Sequence, residues 1–164
     1  LCDIKEAVAT YTARAAEKLR RQQSAAGVLN VFVVPKEKAA GQNFRHGPTL
    51  SSYAILPYPT SDTTELIKPA VQLAEKLFQE GLLYKKAGVI LSSLVPDESI
   101  QGNLFEAKKS IGRFLMEQID NINFSMRGDV VKFAASGARR NWKMRQEHHS
   151  PRYTSRWDEL YEIK

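Results

Sequence analysis

The side chains of this chain best suited to chemistry are cations grouped near strand ends. Lys36, Lys38, Arg45 and His46 fall between two strand-like runs, and Lys85 and Lys86 open a third. If helices cover one face of the sheet, these groups gather at the rim of the other. There they can follow a phosphate backbone without reading bases. Ser51, Ser52, Ser92 and Ser93 can add short hydroxyl contacts from the strands. The same pattern also suits a solvated edge on which lysines block sheet-to-sheet aggregation. Catalytic constellations are missing: the sequence contains no Gly-rich phosphate loop, nucleophile elbow or paired-carboxylate motif. His148 and His149 are adjacent, so their side chains diverge on any regular backbone, and no Cys or carboxylate stands at ligand spacing. Acidic residues are scattered along helix faces instead of clustering on strand ends, as two-metal phosphoryl transfer requires. A binding module that is not itself an enzyme, with no metal and no cofactor, is the expectation.

Two further groups are candidates for recognition. Gln101-Gly102-Asn103-Leu104-Phe105 is a polar residue followed closely by two large apolar ones, a pattern that can dock into an apolar groove with one polar subsite. Burying Leu104 and Phe105 is worth about 1.5–3 kcal/mol each before ordering costs. Equally, these two residues can begin the next helix and pack against Phe114. Trp142, Arg152, Tyr153, Arg156 and Trp157 are of the types favoured as interface anchors, and also of types that pack internally.

These residues sit in 164 positions with 24 Lys and Arg against 18 Asp and Glu, a net charge of +6 and a pI near 9.5. A cationic excess favours a polyanionic partner, because neutralised phosphates release condensed counterions. The single Cys2 cannot form an internal disulfide, which fits a reducing cytoplasm. No apolar run approaches the roughly 18 residues that cross a bilayer. The chain opens on Leu1 with a helical pattern almost at once, which reads as a piece of a longer protein.

The elements that must position these groups follow from periodicity. Ile4, Val8, Tyr11, Ala15 and Leu19 form the stripe of an amphipathic helix, ended by Gly27. Val28 to Val34 reads as a strand closed by Pro35, and Thr49 to Leu56 as a second, ended by Pro57 and Pro59. Asp62 and Glu65 resemble a capping box before the stripe Leu66, Ala70, Leu73, Ala74 and Leu77. Pro69 predicts a kink or a late helix start, and Gly81 suits the C-terminal cap. Tyr84 to Leu94 is a third strand. The order helix, strand, strand, helix, strand predicts an α+β fold: a small antiparallel or mixed sheet with two helices on one face, the other face open, and a front strand missing. A linker at 97–109 follows. Beyond it come a helix with the stripe Ile111, Phe114, Leu115, Gln118, Ile119 and Ile122, and a short strand at Val130 to Ala135, together a small α+β extension.

Three stretches resemble one family. Tyr11 with Ala15-Ala16-Glu17-Lys18-Leu19-Arg20, Tyr84-Lys85-Lys86-Ala87-Gly88-Val89, and above all Ser150-Pro151-Arg152-Tyr153-Thr154-Ser155-Arg156-Trp157-Asp158-Glu159-Leu160 look like the UmuC-type error-prone polymerases of the Y family. Trp142-Lys143-Met144-Arg145 leads into the last stretch as in that family, and the resemblance runs from about residue 4 to the end. It implies that residues 1–96 are the little finger, a sheet backed by two helices that holds the template-primer duplex. It also implies that Gln101, Leu104 and Phe105 bind the sliding clamp. Gly102 replaces an apolar residue often found in that clamp motif, which implies a weaker grip. Residues 110–164 then resemble the C-terminal extension, used near a UmuD′-like dimer and a recombinase filament in SOS mutagenesis. The polymerase's catalytic carboxylates and its magnesium would belong to a palm outside this chain. A protein-interaction module in which DNA contact is incidental is the alternative. RNA binding is set aside, because Phe32 and Tyr53 alone are thin provision for base stacking.

Overall fold

The computed structural model describes residues 1–36, 48–100, 111–138, 142 and 150–160. Helix α1 spans Cys2–Arg21, strand β1 Ser24–Pro35, strand β2 Leu50–Thr60, helix α2 Thr63–Leu77, strand β3 Tyr84–Pro96 and helix α3 Ile111–Ser125. The strands form one antiparallel sheet in the order β2-β1-β3. Helices α1 and α2 pack beside each other on the same face of it. This is the predicted α+β arrangement.

The core follows from the periodicities. Val8 of α1, Leu29 and Val31 of β1, and Ala70, Leu73 and Ala74 of α2 form one buried cluster. Ala16, Leu19, Ala26 and Leu66 form a second. Each large side chain removed from water in this way contributes on the order of 1.5–3 kcal/mol. Helix α1 ends in a basic last turn, Lys18, Arg20 and Arg21, which suits the negative end of the helix dipole.

Several boundaries differ from expectation. Helix α1 stops at Arg21, and Gln23 turns the chain with φ +51°, so Gly27 lies inside β1 and does not end the helix. Strand β2 runs on through Pro57 and Pro59 to Thr60. It is an edge strand, and the pairing steps from Val28–Ile55 to Ala26–Thr60, so both prolines fall in an irregular stretch that needs no ladder hydrogen bond. Asp62 does cap α2, accepting from the Thr64 N–H at 2.7 Å. The reciprocal half of the capping box is absent, because the Glu65 carboxylate accepts from the Tyr58 and Thr60 hydroxyls, both at 2.6 Å. The Asp62 N–H donates to the Thr60 hydroxyl instead. Helix α2 starts at Thr63, well before Pro69, and not late. It ends at Leu77, and Gly81, with φ +83°, serves the turn into β3 and not the cap.

One expectation about the C-terminal segment is overturned. The strand at Val130–Ala135 is absent; the backbone there is irregular, followed by a 3-10 turn at Ala134–Ser136. The Asn123 side chain explains this: its Oδ1 accepts from the Val131 N–H at 2.8 Å and its Nδ2 donates to the Val131 carbonyl at 3.0 Å. A side chain thus satisfies backbone groups that a neighbouring strand would otherwise take. In α3 most of the apolar stripe faces outward, with Phe114 68% and Leu115 51% exposed; Ile119 at its margin is half-buried together with Asp120 and Asn123, and Met116 is buried.

Candidate nucleic-acid interface

Alternation along the strands decides which side chains stand on the open face of the sheet. Antiparallel partners share a face, so the rows of that face are Val28 with Ile55 and Ser92, Asn30 with Tyr53 and Ile90, and Phe32 with Ser51 and Gly88. Among the described residues no helix packs on this side. Its centre is apolar: Tyr53 is 65%, Ile55 73% and Ile90 53% exposed. The Phe32 ring lies against Gly88, and a methyl group at that position would collide with it. Gly88 therefore leaves room for the ring. The Asn30 Oδ1 is buried with no hydrogen-bond partner.

Among the described residues, the candidate cations Lys36, Lys85 and Lys86 stand at one end of the sheet. Lys86 pairs with Val34, and the Lys36 N–H donates to the Leu83 carbonyl at 2.7 Å, which holds the end of β1 against the turn into β3. Lys36, Lys85 and Lys86 are thereby neighbours, and all three are exposed. Of the four strand serines, Ser51 and Ser92 stand on the open face. Ser52 is half-buried opposite Val31 on the helix side, and Ser93 occupies an irregularity with φ +53° beside Gly27. Lys38, Arg45 and His46 lie outside the described residues, as do His148 and His149 and the peptide residues Gln101, Leu104 and Phe105.

The aromatic and arginine anchors of the C-terminal segment divide. Trp142 is half-buried and stands edge-on to Tyr11 of α1, ring centroids 5.7 Å apart. Trp157 is 90% exposed. It projects from a locally closed turn in which Glu159 accepts from the Arg152 N–H and pairs with Arg156, which also faces Asp158. Arg152 and Tyr153 are exposed in the same turn.

Sequence reasoning missed Arg20, whose position in the last turn of α1 looks like that of any solvated helix cation. Its side chain is only 8% exposed and meets Asp120 of α3 with two hydrogen bonds, at 2.6 and 2.8 Å. A third nitrogen contact reaches the Ser61 carbonyl at 2.6 Å and the Thr63 hydroxyl at 2.9 Å. Nothing in the charge pattern separates this arginine from Arg14 or Arg21; only the fold does.

Among the described residues no three His, Cys, Asp or Glu side chains are grouped to hold a metal ion. No described helix is long and apolar enough to cross a membrane.

Residues 1–104 match the impB/mucB/samB family C-terminal domain, and residues 113–163 match a domain of unknown function, DUF4113. Among curated proteins, Protein UmuC of Salmonella typhimurium strain LT2 is 33% identical over 164 residues, covering 99% of this chain and 38% of its own length. Protein SamB of Salmonella typhimurium is 33% identical over 159 residues, covering 96% of this chain and 37% of its own length. Protein MucB of Escherichia coli is 31% identical over 159 residues, covering 96% and 36%. The chain thus spans a little over a third of the length of the curated relatives it matches. No solved structure matches it.

Proposed function

Because the chain belongs to the UmuC, ImpB, MucB and SamB family through its C-terminal region, we propose that it is the duplex-holding, clamp-docking part of an error-prone Y-family translesion DNA polymerase. Residues 1–96 act as the DNA-holding domain, 97–109 as a linker with the clamp peptide, and 110–164 as an extension toward protein partners. The observation that carries this reading is the open sheet face with Lys36, Lys85 and Lys86 gathered at one end. Three strands spaced about 4.8 Å apart set the outer two about 10 Å from each other, comparable with the roughly 12 Å width of a B-DNA major groove. The face can enter such a groove while the lysines, joined by Lys38 and Arg45, neutralise phosphates beside it. Nucleotidyl transfer, and the magnesium it needs, belong to the rest of the polymerase.

The clamp contact falls to Gln101, Leu104 and Phe105. Contacts to a UmuD′-like dimer and a recombinase filament fall to Trp157, Arg152, Tyr153 and Arg156, together with the part of Trp142 left exposed beside Tyr11. These roles rest on the family resemblance and on residue chemistry.

Salt titration of duplex binding is the test. Three phosphate contacts predict a fall of roughly 40-fold in affinity between 50 and 200 mM salt, and five predict roughly 500-fold. Affinity unchanged over that range would end the backbone-tracking reading. The apolar centre of the face, Tyr53, Ile55 and Ile90, favours the second reading, a protein-binding surface with incidental DNA contact. Under that reading Ile55→Asp abolishes partner capture while the triple change of Lys36, Lys85 and Lys86 to Ala does not.

A further inference from the structure

The segment that begins the match to DUF4113 meets α1 along a second helical stripe, distinct from the one that packs on the sheet. Glu6, Thr10, Arg14, Arg20 and Arg21 recur at helical spacing, and each has a counterpart in residues 112–137. The Thr10 hydroxyl donates to the Ser136 carbonyl at 3.5 Å. Arg14 pairs with Asp129 at 3.4 Å, and Arg21 stands 5.5 Å over the Phe124 ring. Gly137, with φ +66°, leaves room for the Glu6 carboxylate where a side chain would collide. Gly112 does the same for the Asp62 carboxylate, which brings the first turn of α3 against the N-cap of α2.

Arg20 unites these contacts, since one guanidinium joins α1, the start of α2 and α3. We propose that residues 112–137 are an intramolecular brace that locks α1 to the N-terminus of α2, with Arg20 as the positioning residue and Asp120 as its required partner. A buried guanidinium without its carboxylate is strongly unfavourable, so the helical layer of the sheet domain is complete only when the brace is docked. The brace lies against the helices, away from the open sheet face. Its role therefore does not depend on what that face binds.

Full-length chain carrying Asp120→Ala tests this. The change should lower Tm by roughly 10 °C and raise amide exchange at residues 14–21 and 61–64 above the unmodified level. If Asp120→Ala is too unstable to purify, Asp120→Asn keeps the shape and one acceptor and should give the same pattern at smaller amplitude. Salt-sensitive duplex binding at low temperature should stay at the unmodified level in Asp120→Asn. Wild-type exchange rates at 14–21 and 61–64 in either variant would overturn the proposal, as would increased exchange confined to residues 112–137.

Discussion

The face of α1 turned to the sheet carries Val8, Ala16 and Leu19, whereas the face turned to the C-terminal segment carries Glu6, Thr10, Arg14 and Arg20. Both faces are covered, by opposite means. Apolar burial is non-directional and roughly proportional to area, so the first face tolerates changes of shape and reveals itself by spacing alone. The second depends on partners at fixed distances and angles, so each contact holds only if the other segment arrives in register. One helix can therefore be half of an ordinary core and half of a keyed interface.

The largest effect expected from breaking this comparison is on the apolar side. Leu29→Ala, at a fully buried position of the first cluster, should cost about 2–5 kcal/mol in chemical denaturation, with little dependence on salt. Next comes Arg20→Met, which strands the half-buried Asp120 carboxylate and should cost about 3 kcal/mol. The double variant Arg20→Met with Asp120→Leu should recover most of that loss. If it does, the polar face supplies register more than stability, and a double variant as unstable as the single one would show the reverse. Gly137→Ala should cost about 1–2 kcal/mol, because alanine at φ +66° is strained and its methyl group meets Glu6. Arg14→Ala removes an exposed pair and should cost less than about 1 kcal/mol, a difference that disappears in high salt.

Much of the fold was legible in the sequence because it rests on period. The stripe through Val8 and Leu19, the β-branched run of β1, and the stripe Leu66, Ala70, Leu73 and Ala74 all lie where buried residues are found. The errors share a cause. Prolines 57 and 59 seemed to end a strand, but an edge strand with an irregular register accommodates them. Val130 to Ala135 has strand composition, yet Asn123 supplies its hydrogen bonds from a helix. In α3 the spacing gives a stripe but not the face it turns to water, which is set by Asp120 and Asn123 turning the other side inward toward Arg20 and Val131. The candidate site was half legible: Lys36, Lys85 and Lys86 do adjoin, but the apolar rows through Tyr53, Ile55 and Ile90 became visible only once strand register set their face.

The sequence by itself determined the element order of residues 1–96, the helix-covered layer and the family, since these depend on residue type and spacing along the chain. Tertiary structure alone decided which arginine is buried, which stripe of α3 faces water and where the cations meet. Those outcomes depend on distances between residues some hundred positions apart, such as Arg20 and Asp120, and linear spacing carries no record of them.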